Sequence, residues 1–118
     1  MCHVLIIEDE PMVAMLIEDT LSDAGALSVA IAATQEDAID AARHRRPDFI
    51  TSDVSLLEGH GPAAVQAIFE VCGEIPVLFI TATPDDCRPC APPGMVLAKP
   101  FTGQAVAHAF RTMTAAAR

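Results

Sequence analysis

The sequence predicts an α/β domain of the doubly wound type, a five-stranded parallel sheet with helices on both faces. Three observations predict it. Short apolar runs alternate with amphipathic segments of helical period, and the pair repeats along the chain. The connections are short, so each helix crosses back over the sheet in the right-handed sense. Acids and hydroxyls follow directly on the apolar runs, where sheets of this type bind ligands beside the point at which strand order reverses.

Val4-Leu5-Ile6-Ile7 is apolar on both faces and runs straight into Glu8-Asp9-Glu10, the pattern of a buried strand that ends at a charged edge. Pro11 suits a first helical turn, and Val13, Leu16, Ile17, Leu21 and Ala24 recur at helical spacing. Gly25 then caps a first helix running from about 11 to 24. Leu27, Val29 and Ile31 alternate with Ser28, Ala30 and Ala32, a two-residue period that places the second strand at a sheet edge. Thr34 and Asp37 have the spacing of a capping box, and Ala38, Ala41 and Ala42 form a small-residue stripe. Arg43, Arg45 and Arg46 are expected to meet the negative end of this second helix before Pro47 stops it.

Residues Asp48 to Asp53 read as the third strand. Pro62 near a helix start, Val65, Ile68 and Cys72, and Gly73 as the stop define the third helix. Residues Pro76 to Thr81 form the fourth strand, with proline tolerated at its first position. Pro84, Pro89, Pro92 and Pro93 then crowd the stretch 84–94, where the cycle calls for a helix. An interior proline costs ~3 kcal/mol in a helix, so this fourth helix is expected to be one turn or missing. Met95 to Ala98 resume as the fifth strand. Thr102 caps a last helix whose Val106, Ala109, Phe110 and Met113 share a face.

At 118 residues, 52% of them apolar, the chain is expected to be spent on this one unit, residues 1–118, with no output domain. Its 7 Lys+Arg against 16 Asp+Glu give a net charge of −9, which argues against broad attachment to nucleic acid or an anionic membrane surface. No apolar run reaches the ~18 residues of a membrane span. Met1-Cys2-His3 lacks the basic region of a signal peptide, so a cytoplasmic location is expected. Cys2, Cys72, Cys87 and Cys90 lack secreted-framework spacing and are expected as reduced thiols. The pair Cys87-x-x-Cys90 has no second pair to complete a zinc site and no helix start to activate a thiol. His3, His44, His60 and His108 are scattered and read as surface or local packing residues.

The strand ends carry the chemistry: Glu8 and Asp9 after the first, Asp53 after the third, Thr81 after the fourth and Lys99 after the fifth. All converge on one edge of the predicted sheet. Two carboxylates about 4 Å apart repel by roughly 4 kcal/mol at an effective dielectric near 20, so gathering three requires compensation from Lys99 and a divalent cation. Oxygen donors with no His or Cys pair nearby favour Mg²⁺ over zinc, and Mg²⁺ is usually shared with phosphate oxygens.

Ile6-Ile7-Glu8-Asp9-Glu10, Asp53 with Leu56, Gly59 and Gly61 after it, Ile80-Thr81-Ala82, and Lys99-Pro100-Phe101 follow in that order at successive strand ends. In this the chain resembles the response-regulator receiver domain of bacterial two-component signalling over nearly its whole length. The resemblance implies the flavodoxin-like strand order 2-1-3-4-5. It implies that Asp53 is the phosphoacceptor, taking a phosphoryl group from a phosphohistidine on a sensor histidine kinase or a histidine phosphotransfer protein. By the same resemblance, Asp9 ligates Mg²⁺, with Glu8 direct or through water, and Asp53 and the backbone carbonyl of Ser55 complete the protein ligands. Lys99 pairs with the phosphoryl oxygens and the Thr81 hydroxyl hydrogen-bonds one of them. The implied whole is a stand-alone receiver in a phosphorelay, no enzyme beyond promoting its own phosphorylation and dephosphorylation, which signals to a downstream protein or passes the phosphoryl group on.

Two features depart from the family pattern. Val96 stands where these domains carry an aromatic switch residue, three positions before the lysine, and prolines replace the fourth helix. By the same resemblance, Ser55 and Thr83 fall at the two positions that in this family influence the lifetime of the aspartyl phosphate. The departures favour, as the alternative, a receiver-fold interaction module that works without phosphorylation; the intact acids, threonine and lysine speak against it. A flavin binder or a metal-dependent phosphatase fits less well, since a bare acidic loop repels phosphate and the paired-aspartate nucleophile is absent.

Overall fold

The structure, a computed structural model, describes residues 2–84 and 94–116. Strands β1 (His3–Ile7), β2 (Ser28–Ala32), β3 (Phe49–Ser52), β4 (Val77–Thr81) and β5 (Gly94–Ala98) form one sheet in the order β2-β1-β3-β4-β5. Every pairing is parallel. Helices α1 (Pro11–Asp23), α2 (Gln35–His44), α3 (Gly61–Cys72) and α4 (Gly103–Ala116) cover it. The expected fold class and strand order are those observed. The proline-rich stretch from 85 to 93 lies outside the described residues, and with it the expectation of a short or missing helix there and the pair Cys87 and Cys90. No helix among the described residues is long and apolar enough to cross a membrane.

The strands read as apolar on both faces because both faces are covered. Leu5, Ile7, Ile50, Val77 and Phe79 pack with Ala38 and Ala42 of α2 and Ala64, Val65 and Ile68 of α3. Val4, Ile6, Phe49, Leu78 and Ile80 pack on the other side with Ala14, Ile17 and Leu21 of α1 and Val106, Ala109, Phe110 and Met113 of α4. Phe49 and Phe110 meet edge to face with ring centroids 5.1 Å apart, which fastens the last helix to the central strand. The alternation of core membership along β1 follows from side chains pointing to opposite faces at successive positions.

The helix punctuation is that read from the sequence. The Thr34 hydroxyl accepts from the Asp37 N–H at 3.0 Å, the Thr102 hydroxyl accepts from the Ala105 N–H at 3.1 Å, and Gly25 and Gly73 turn the chain at φ 116° and 84°.

Two local expectations, for Leu16 and Arg46, are corrected. Leu16, on the apolar stripe of α1, is 54% exposed, because the helix buries only the narrower line Ala14, Ile17 and Leu21. On β2, at the sheet edge as expected, the bulkier Ile31 and the preceding Leu27 face solvent, whereas Ala32 is buried and Ala30 packs on the core. An edge strand has neighbours on one side only, so its bulky residues are covered incompletely. Arg46 lies past the end of α2 and serves another helix: its Nε donates to Cys72 O at 3.0 Å, and its terminal nitrogens to Glu74 O and Pro47 O, each at 3.4 Å. It thus satisfies a carbonyl at the end of α3.

His3 is buried in β1, its Nδ1 2.8 Å from Ser28 Oγ and its backbone N–H donating to Asp48 Oδ2 at 2.8 Å. Burial, with the Arg45 charge adding to it and Asp48 opposing, holds its imidazole below the usual histidine pKa.

Candidate functional site

The carboxyl ends of β1, β3, β4 and β5 meet at one edge of the sheet, and the parallel registers decide which residues meet there. Ile7 pairs with Ser52, and the Asp53 N–H continues the ladder by donating to Ile7 O at 2.9 Å. On the other side of β1 the Glu8 N–H donates to Ala32 O at 2.9 Å. These bonds bring Glu8 and Asp9 alongside Asp53 although 44 positions of chain separate Asp9 from Asp53. One carboxylate oxygen from each of Glu8, Asp9 and Asp53 lies within 4.8 Å of the others.

Lys99 completes the cluster. The Thr81–Ala98 pairing and a bond from the Lys99 N–H to Thr81 O at 2.8 Å bring the end of β5 beside the end of β4. From there Lys99 Nζ reaches Asp53 Oδ2 at 3.1 Å and Glu8 Oε1 at 3.2 Å. The peptide bond that follows, Lys99–Pro100, is cis, a feature that the sequence pattern does not announce.

The three acids sit in different surroundings. Glu8 is buried, its Oε1 on Lys99 and its Oε2 accepting from the Glu10 N–H at 3.2 Å. Burial raises its pKa above the ordinary carboxylate value, and the Glu10 N–H and Lys99 offset this only in part. Asp53 uses Oδ1 to accept from the Val54 N–H at 2.7 Å and Oδ2 to accept from Lys99. Asp9 accepts from the Leu57 N–H at 2.7 Å through Oδ2. For Lys99, burial opposes its charge, but the hydrogen bond to Asp53 and the two carboxylate charges outweigh burial and raise its pKa.

Around Asp53 the backbone is fixed by close approach. Ser52 Oγ donates to Asp53 O at 2.8 Å, and the Gly61 N–H donates to Val54 O at 2.8 Å. A Cβ on Gly61 would lie 1.7 Å from Asp53 O, so only glycine lets the start of α3 pass so close to Asp53. Val54 is buried in the core, which anchors the chain immediately after Asp53.

Ser55 follows in the exposed loop, joined to His60 by an isolated antiparallel bridge. Thr81 is buried at the end of β4. Its hydroxyl accepts from the Thr83 N–H at 3.0 Å and lies 3.3 Å from the Thr83 hydroxyl, so it is held toward the following loop. Val96 is 41% exposed on the edge strand β5. Sequence reasoning thus named the acids, the threonine and the lysine. It missed the Leu57 N–H on Asp9, the His60 N–H that Gln35 Oε1 accepts, and Thr51, whose hydroxyl is buried with no partner among the described residues.

The donor set fits a hard divalent cation. It consists of carboxylate oxygens, three acids face one lysine, and that imbalance is what a cation such as Mg²⁺ relieves. Glu8, Asp9 and Asp53 are the side chains that would hold it.

A family model for the response regulator receiver domain matches residues 4–111. The phyllosphere-induced regulator PhyR of Methylorubrum extorquens is 38% identical over 105 residues, which is 84% of this chain but 38% of that protein's length. The receiver (REC) domain of Erythrobacter litoralis PhyR, solved by NMR, has a TM-score of 0.85 at 32% identity, covering 95% of this chain and 88% of that one. A mutant of the anti-anti-sigma factor PhyR from Bartonella quintana has a TM-score of 0.86 at 32% identity, covering 98% of this chain and 49% of that one. On the strength of the family match, the strand order and these likenesses, the chain belongs to the response-regulator receiver family.

Proposed function

We propose that this receiver accepts a phosphoryl group on Asp53 from a phosphohistidine of a sensor histidine kinase or histidine phosphotransfer protein. The observation that carries the reading is the Asp53 carboxylate, held between Lys99 Nζ and the Val54 N–H with Glu8 and Asp9 beside it. A bound Mg²⁺ would neutralise charge on the acids and on the incoming phosphoryl oxygens. The Asp53 carboxylate oxygen forms the P–O bond as the P–N bond to the donor imidazole breaks, the electron pair returning to the ring nitrogen. Lys99, already within 3.1 Å of Asp53, stands where the added negative charge arrives. The contacts to Val54 and the Ser52–Asp53 backbone keep the acceptor from turning away, so positioning and neutralisation supply most of the catalysis.

The chain acts on itself only, by promoting its own phosphorylation and dephosphorylation. Its phosphorylation state is read by a protein partner, or the group moves on to a histidine. The name anti-anti-sigma factor belongs to a relative about half of which this chain matches, and it supports a partner of the sigma-factor control type.

Incubation with Mg²⁺ and acetyl phosphate, followed by intact mass measurement, tests the proposal. One phosphoryl increment is expected on wild type and none on Asp53→Asn. Wild type that stays unmodified by acetyl phosphate and by a competent kinase overturns the reading in favour of an interaction module independent of phosphorylation. Turnover of an unrelated phosphoester also contradicts it.

A further inference from the structure

The loop between β3 and α3 carries two groups that bear on the site, the Ser55 backbone and the Leu57 N–H that holds Asp9, yet little apolar burial holds it. Ser55, Leu57, Glu58 and Gly59 are exposed, and Leu57 is 87% so. Leu56 alone of the four residues 55–58 packs on the core. Hydrogen bonds must therefore fix the loop, and outside the site they converge on Gln35, the first residue of α2.

The Gln35 N–H donates to Glu58 O at 3.1 Å, and Gln35 Oε1 accepts from the His60 N–H at 3.0 Å. The loop residue between these two, Gly59, has φ 106°, and a Cβ there would lie 2.4 Å from Gln35 Cβ. The loop thus closes directly on the glutamine. Helix α2 does not itself need this side chain, because Thr34 already caps it. Inside the loop, the Leu56 N–H donates to Gly59 O at 3.4 Å and Ser55 bridges His60, so fixing Glu58 and His60 fixes what lies between.

We infer that Gln35 is a positioning residue for the acidic site: it clamps the loop at both ends of Gly59 and so sets where the Leu57 N–H holds Asp9. This rests on the proposed function, in which Asp9 serves a divalent cation. The glutamine itself touches neither the acids nor Lys99; it acts through the loop.

Gln35→Met removes the acceptor at nearly constant volume and helix propensity, whereas Gln35→Glu keeps an oxygen for the His60 N–H. Mg²⁺ affinity is measured by calorimetry, amide exchange at residues 57 and 60 by NMR, and phosphorylation by acetyl phosphate across a Mg²⁺ series. Loss of one hydrogen bond leads to an expected weakening of Mg²⁺ binding by roughly 2- to 10-fold in Gln35→Met, on the order implied by its typical net worth. The Mg²⁺ concentration for half-maximal phosphorylation should rise with it, and exchange at residues 57 and 60 should quicken while β1 and β3 amides stay protected. Gln35→Glu should restore that protection.

Wild-type Mg²⁺ affinity and loop protection in Gln35→Met overturn the inference while leaving the proposed function standing. Loss of protection throughout the sheet also overturns it, by making the role purely structural. A Gln35→Glu variant as impaired as Gln35→Met shows that the acceptor is not the cause and overturns it equally. Failure of wild type itself to bind Mg²⁺ or take a phosphoryl group removes the function and the inference together.

Discussion

Lys99 Nζ lies 3.2 Å from Glu8 Oε1, an ion pair that spans 91 positions of sequence and ties the end of edge strand β5 to the end of β1. The fold favours the charged lysine, whose pKa is raised. Its contribution is therefore fully present below the ordinary lysine value and lost only as pH rises through the higher one. Lys99→Met leaves Glu8 and Asp53 facing each other without a cation. It is expected to cost about 1–3 kcal/mol in metal-free buffer, and added Mg²⁺ should raise its melting temperature more than that of wild type. Thermal melts with and without Mg²⁺ check this; equal Mg²⁺ shifts in the two proteins would refute it.

The buried Glu8 also has a raised pKa, but here the fold favours the neutral form. Its raised pKa means that its contribution to stability is greatest below the ordinary carboxylate value and is lost as pH rises through the higher, folded-state value. Glu8→Gln should therefore raise the metal-free melting temperature at pH 7 by a few degrees, have little effect in acid, and weaken Mg²⁺ binding. His3 adds a counter-slope. Its lowered pKa gives stability that is present above the usual histidine value and lost as pH falls through the folded-state value. A pH series of melts on wild type and Glu8→Gln separates the two.

Thr51 sits in the central strand with its hydroxyl buried and unpartnered among the described residues. Valine has nearly the same shape and nothing to desolvate. Thr51→Val is expected to stabilise the protein by about 1 kcal/mol without altering phosphorylation, and denaturant unfolding measures it. A destabilised variant would show that the hydroxyl has a partner, such as a buried water.

Gly61 offers the sharpest steric prediction. A methyl group there meets Asp53 O at 1.7 Å and Ser52 Oγ at 2.5 Å, both within the segment that orients the Asp53 carboxylate. Gly61→Ala should cost about 3 kcal/mol or more and slow phosphorylation beyond what its lower stability explains. Phosphorylation rates taken well below its melting temperature provide the check.

Much of this site was legible because its signals are local. An apolar run followed at once by an acid marks Glu8, Asp9 and Asp53, and a two-faced apolar pattern says that their strands are central. What stayed hidden depends on single backbone groups from distant segments: Leu57 on Asp9 across 48 positions, His60 on Gln35 across 25, Cys72 on Arg46 across 26. No composition or period encodes such a meeting. Periodicity likewise tells which residues of α1 share a face, but the width of the covered strip is set by α4 and the sheet, which leave Leu16 in water.

The bond from the Asp53 N–H to Ile7 O extends a ladder whose steps are whole residues. A slip of one step would turn Asp53 to the opposite face, so the spacing between Asp53 and the acids that follow β1 is quantised. Core substitutions that keep the ladder change how long the protein stays folded, and those that break it abolish the site. Graded tuning of the chemistry is left to the loops at the sheet's rim, where chain geometry is continuous.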